Sequence, residues 1–154
     1  MAVYQKKFSQ FVPNISIDEA WDFFSSPKNL KEITPKEMGF DIKSKHLADK
    51  MHPGMIITYT VKPLFGIPME WVTEITHVKE KEYFIDEQRF GPYAMWNHMH
   101  TFEAKDGGVL MGDLLNYKIP LGPIGQLANF VMVENKIDEI FNHRVKSVER
   151  IFGK

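Results

Sequence analysis

Two histidines two residues apart, His98-x-His100, share a stretch of alternating apolar and polar residues with the carboxylates Asp86 and Asp113. An imidazole held by a carboxylate can act as a general base, because the carboxylate fixes the tautomer and stabilises the cation that forms. The same groups can instead orient the polar end of a bound molecule, or satisfy one another as a buried network. Metal ligation is a third use, with Asp113 as a third ligand or an orienting carboxylate. Strand residues at i and i+2 lie awkwardly far apart for joint chelation, and a short His-x-His is a weak signal, so no metal is expected. The chain has no cysteine, which excludes disulfides, thiolate catalysis and cysteine-held metals. Neither a phosphate-binding glycine loop, a G-x-S-x-G elbow nor an H-E-x-x-H zinc motif occurs, and no cofactor is expected.

What must position these groups is a sheet. From residue 39 to 119 the apolar pattern has period two, with strands expected at about 39–46, 55–62, 69–78, 83–90, 95–104 and 109–119. Residues 2–12 alternate as well and Pro13 closes them. Short polar turns, Lys79–Glu82 and Lys105–Gly108, make the sheet antiparallel and sequentially connected. Helices lie near the ends of the chain. Ser16 and Glu19 have capping-box spacing ahead of an apolar face of Ile17, Ala20, Trp21 and Phe24. Ser26-Pro27 opens a second short helix with Leu30 and Ile33 inward, ended by Pro35. Residues 123–152 form a long helix, about 45 Å at 1.5 Å per residue. Leu127, Phe130, Val133, Ile137, Ile140, Phe141, Val145, Val148, Ile151 and Phe152 make one stripe on it, which must lie across the concave side of the sheet. The expected fold is α+β, a curved antiparallel seven-stranded sheet wrapped around a long C-terminal helix, with two short helices after the first strand, in a single domain over 1–154.

The Asp106-Gly107 turn sets the register. With those two residues as the loop, Lys105 pairs with Gly108, and stepping back pairs Phe102 with Met111, His100 with Asp113, His98 with Leu115 and Trp96 with Tyr117. All eight then share one face, and Asn97, Thr101, Glu103, Asn116 and Lys118 take the wetter one. The strand before adds Phe84, Asp86, Gln88 and Phe90 to the inner face, and the one before that adds Trp71, Thr73, Ile75 and His77. Six polar groups on an inner face (Asp86, Gln88, His98, His100, Asp113 and Tyr117) must satisfy one another or meet water or a ligand.

The connections alternate between two ends of the sheet. One end receives His46–Pro53, Lys79–Glu82 and Lys105–Gly108 and is charged. The other receives residues 63–68, 91–94 and 120–124, all apolar and rich in Gly and Pro. They are stiff turns under the helix, a cavity mouth, or a contact surface for a partner protein, a second copy or lipid. Twelve Phe, five Tyr, three Trp and nine Met in 154 residues give more large apolar surface than a small core needs. A net charge of -1 offers no general attraction for nucleic acid. No run approaches the roughly 18 apolar residues of a membrane span, and the first residues lack a secretory pattern, so a cytoplasmic location is expected.

The element order, together with Phe84-x-Asp86-x-Gln88, Gly91-Pro92-Tyr93, Trp96-x-His98-x-His100-x-Phe102, Gly107-Gly108, Asp113, Tyr117-x-x-Pro120, Phe141 and Arg144, resembles the START-like helix-grip (SRPBCC) superfamily, most closely its bacterial ligand-binding branch. The resemblance covers essentially the whole chain. It implies a sheet gripping the last helix with a deep cavity between, and a small hydrophobic ligand of lipid, polyketide or aromatic type. Some relatives are cyclases or hydrolases. Rieske cluster motifs are absent.

The expected ligand contacts are Trp71, Phe90, Trp96, Phe102 and Tyr117 for apolar surface, with Gln88, His98, His100 and Asp113 for a polar end. The enzyme alternative, a cyclase, dehydratase or hydrolase, uses His100 as base with Asp113 or Asp86.

Overall fold

The structure is a computed structural model that describes residues 2–63 and 65–153; Leu64, in the apolar 63–68 connection, lies outside the described residues. Strand β1 (Tyr4–Pro13) leads into helix α1 (Ile17–Phe24) and two 3₁₀ turns (Pro27–Ile33 and Lys36–Met38). Strands β2 (Asp41–Ile42), β3 (Met55–Val61), β4 (Met69–Lys79), β5 (Tyr83–Phe90), β6 (Met95–Lys105) and β7 (Gly108–Lys118) follow. The chain ends in helices α2 (Gly122–Ala128) and α3 (Glu134–Phe152), joined by a π-turn at Asn129–Val133. The sheet has seven strands in the order β1-β7-β6-β5-β4-β3-β2, antiparallel throughout. This is the expected α+β architecture, a sheet curved around the C-terminal helix.

Local chemistry explains the start of α1. The Ser16 hydroxyl accepts the Glu19 N–H, and the Glu19 carboxylate accepts the Ser16 N–H at 2.8 Å. The helix then buries Ala20, Trp21 and Phe24. The β6–β7 register is the one the Asp106-Gly107 loop dictates, pairing His100 with Asp113 and Trp96 with Tyr117.

Three expectations need correction. The strand expected at 39–46 is only the two-residue β2, and Ser44 beyond it caps the backbone of Thr58 instead of extending the ladder. Register shifts after Val72 and after Ile75 break the period of β4 against β5. A bulge inserts a residue and reverses parity beyond it, so His77 points out to solvent, and Phe90, paired with Val72, is 63% exposed. In the last helix, Leu127 and Phe130 are exposed, and Asn129 is buried in their place. The π-turn accommodates an extra residue, which rotates the first segment of the helix out of phase with α3.

The inner face carries two apolar clusters. One surrounds α1 and includes Trp21, Phe24, Phe84, Phe102, Val109, Met111 and Val148. The other gathers Leu115, Tyr117, Val133, Ile137 and Phe141 beneath the middle of the long helix. Strand β7 and helix α3 pass from one cluster to the other, and each places a charged residue at the crossing. On β7 it is Asp113, between Met111 and Leu115. On α3 it is Arg144, between Phe141 and Val148. Beside them β5 places Asp86, two residues past Phe84 of the first cluster.

Candidate functional site

At that junction Asp86, His98, His100, Asp113 and Arg144 meet. Period-two pleating puts both histidines inward on β6, where each is 6% exposed. Their rings lean together, with centroids 3.7 Å apart. His100 stacks on Phe84 and His98 stands edge-on to Phe141, so one apolar cluster buttresses each ring. The separation expected of i and i+2 residues therefore holds at the backbone but not at the ring nitrogens.

The carboxylates sit on opposite sides of the ring pair. Asp113 Oδ1 accepts from His98 Nε2 at 2.8 Å and from an Arg144 Nη1–H at 2.7 Å, and lies 3.3 Å from His100 Nδ1. Asp86 Oδ2 bonds His100 Nε2 at 2.6 Å and lies 3.6 Å from His98 Nδ1. Each ring thus turns one nitrogen to each carboxylate.

The electrostatics follow from burial set against these contacts. Burial pushes the Asp113 carboxyl up, but the Arg144 guanidinium and the two imidazoles outweigh it and hold the group well below its ordinary value. Asp86 is likewise raised by burial and lowered further by its bond to His100, the net direction being down. Burial and the neighbouring His100 push His98 down despite its bond to Asp113. Burial also opposes charge on His100, but the two carboxylates overcome it and the net direction is up. His100 is the ring that holds a proton more readily.

Beside the network is a cavity of about 190 Å³ between the sheet and the helix. Trp71, Tyr93, Trp96, Phe84, Ile137 and Phe141 give it apolar walls, and Asp86, His98, His100 and Arg144 a polar one. The Tyr59 hydroxyl and Thr73 Oγ1 hydrogen-bond at 3.0 Å along the same lining. The 3₁₀ turn contributes Leu30 and Ile33, and α3 contributes the face from Ile137 to Arg144.

The structure sorts the residues that sequence reasoning singled out. Trp71, Asp86, Trp96, His98 and His100 line the cavity. Asp113 stands behind the two rings. Gln88 clamps the β5–β6 loop, its Nε2 donating to the Tyr93 carbonyl at 2.7 Å and its Oε1 accepting the Tyr93 N–H at 3.1 Å. Gly91 makes room for the clamp, since a Cβ there would lie 2.6 Å from Gln88 Oε1. Gln88 therefore holds Tyr93 against the cavity, its amide engaged with the loop backbone. Tyr117 donates its hydroxyl to Asn129 Oδ1 at 2.8 Å, tying β7 to the π-turn. Phe102 packs on Trp21, Phe24 and Phe84 in the solid cluster, and Phe90 faces outward.

Residues that pattern-reading missed as members of the site are Arg144, Tyr59 and Ile137. Arg144 had a usable signal: it interrupts the buried stripe of the last helix three residues after Phe141 and four before Val148.

No protein-family model and no curated protein matches the sequence. Solved structures do match in fold. Protein CV1439 from Chromobacterium violaceum superposes with a TM-score of 0.71 at 12% identity, over 97% of this chain and 98% of that one. Protein Ms6760 from Mycobacterium smegmatis gives 0.65 at 17% identity, over 96% and 92%. Ara h 8.0201 gives 0.67 at 15% identity, over 98% of both chains. At such identities the likeness is one of architecture, and it establishes that this chain has the helix-grip fold.

Proposed function

We propose that this chain is a START-like ligand-binding protein of the bacterial SRPBCC type, one domain over 1–154, that holds a small and largely hydrophobic molecule between sheet and helix. The observation that carries the reading is the apolar cavity whose one polar wall is the Asp86–His98–His100–Arg144 cluster. Ligand sites join concave apolar walls to a few convergent polar groups, as this one does. A cavity of about 150 Å³ accepts benzene, so 190 Å³ suits one substituted aromatic ring or a short branched chain. That volume favours the aromatic type among the ligands expected from sequence. Trp71 and Trp96 supply flat apolar contact and the imidazoles face the polar substituent. The test is native mass spectrometry of the purified protein for a co-purifying small molecule. Recovery of an aromatic or short-chain compound, released unchanged after incubation, supports the reading. A long-chain lipid would contradict the size argument.

One observation favours an enzymatic second reading. His100 is bonded to Asp86 at 2.6 Å on the cavity wall, so a general base would already have its orienting carboxylate. Conversion of the co-purified compound, lost in His100→Ala, would select a cyclase, dehydratase or hydrolase over a carrier.

A further observation concerns partners. Phe65, Ile67, Leu121 and Ile124 are exposed on the apolar end of the sheet, a surface suited to a partner protein or a second copy. Phe65→Ser would then abolish association in sedimentation while leaving small-molecule binding intact. No helix among the described residues is long and apolar enough to cross a membrane.

A further inference from the structure

We propose that Asp86, His98 and His100 bind a first-row divalent metal ion, with zinc as the default, on the cavity wall. The inference goes beyond ligand binding and does not depend on it. It begins with charge. With both rings neutral, two carboxylates and one guanidinium leave this buried cluster one positive charge short, and an uncompensated buried charge is costly. Something cationic completes it.

The shape of the cluster points to where that cation sits. His98 gives its Nε2–H to Asp113 at 2.8 Å, so in the neutral ring Nδ1 is a lone pair. That lone pair faces Asp86 Oδ2 at 3.6 Å, acceptor against acceptor, and makes no hydrogen bond. His100 Nε2 meets the same oxygen at 2.6 Å. One donor atom from each of the three side chains falls within 4.8 Å of the others. Ligand atoms about 2.0–2.1 Å from a shared ion stand roughly 3 Å apart, and the two measured separations bracket that spacing.

The surroundings fit as well. Asp113 lies behind both rings, 2.8 Å from His98 Nε2 and 3.3 Å from His100 Nδ1. A rear carboxylate that takes the outer N–H of a metal-bound imidazole fixes its tautomer and orientation. Arg144 is bonded to that rear carboxylate at 2.7 Å and so neutralises the back of the site. All three proposed ligands border the cavity, which leaves coordination positions open to water or to a bound molecule. Two imidazoles and a carboxylate suit zinc, iron, cobalt or nickel better than calcium or magnesium.

The competing occupant is a proton, making His100 an imidazolium between Asp86 and Asp113. The two are told apart by titrating cobalt(II) chloride into the chelator-treated chain with no organic ligand present, reading visible d–d absorption and calorimetric heat. The expected result is one cobalt per chain, displaced by zinc. Binding should be lost in Asp86→Asn and His98→Gln, weakened about 10–100-fold in Asp113→Asn, and unchanged in His77→Ala, whose ring is on the surface. Paramagnetic shifts of the His98 and His100 ring protons in the wild type read the same site without any variant. A folded wild type that takes up neither metal, or binds it with those ring protons unshifted, overturns the proposal. So does binding that persists undiminished in a folded Asp86→Asn. None of these outcomes bears on whether the cavity holds an organic molecule.

Discussion

One sheet face, read with one period, makes two different interiors. Around α1 the inward residues Phe102, Val109 and Met111 meet Trp21 and Phe24 and pack solid, with Phe84 at the boundary. A few residues along β6, Trp96 borders the cavity. The alternation is the same on both sides of the junction. What differs is the cover. In the first half α1 and the end of α3 press two layers of rings onto the sheet. In the second, the long helix with its π-turn spans the width, and the 3₁₀ turn of Leu30 and Ile33 closes one side. Strand pattern selects which face is inside, and helix placement decides whether that inside is core or wall.

The contrast can be broken most severely in the solid half. Phe102→Ala should cost about 3–5 kcal/mol in chemical denaturation, because the rings around it cannot collapse into the space. A cost under about 1 kcal/mol would mean that this half is as loose as the other.

At the junction, Arg144→Met leaves Asp113 buried without its cation and should cost a comparable amount, about 3–5 kcal/mol. The sign of the acid limb follows from the same pair. Asp113 in the fold lies well below its ordinary value of 3.8. The unfolded chain therefore takes up that proton first, and the stability it contributes is complete above about pH 4 and drains as the pH falls further. The wild type should lose stability through that window, and Arg144→Met should lose less of it.

Ser16→Ala removes the cap of α1 and should cost about 1 kcal/mol by the same measurement. On the outer surface Leu121→Ser, at an exposed position beyond β7, should change stability by less than about 0.5 kcal/mol.

Much of this was legible in the residues. The Asp106-Gly107 turn determined the β6–β7 register, and with it the meeting of His100 and Asp113 on the inner face. The Ser16–Glu19 spacing marked the start of α1. The bulges between β4 and β5 were not legible, because neither Ile75–His77 nor Gln88–Phe90 carries a glycine or proline to announce an extra residue. The π-turn was hidden for a related reason. Leu127 and Phe130 continue an apolar stripe that the helix itself does not follow, and the partner that holds Asn129 inward is Tyr117, a strand away. Inclusion of Asp86 in the inner-face set was readable from its strand, whereas its bond to His100 and the closeness of the two rings depend on packing against Phe84 and Phe141.

The proposed ligand-binding role requires that the space beside the imidazoles receive a molecule. Titration calorimetry with para-propylphenol, comparing the wild type with His100→Ala and Ile137→Phe, tests it most directly. The ring matches the cavity and the hydroxyl can meet the polar wall, whereas Phe at position 137 fills the space from α3. Saturable one-to-one binding by the wild type is expected, with a loss of about 1–3 kcal/mol in His100→Ala and no measurable binding in a folded Ile137→Phe. Equal affinity in all three, or no binding by the wild type of this or any similar ring compound, would contradict it.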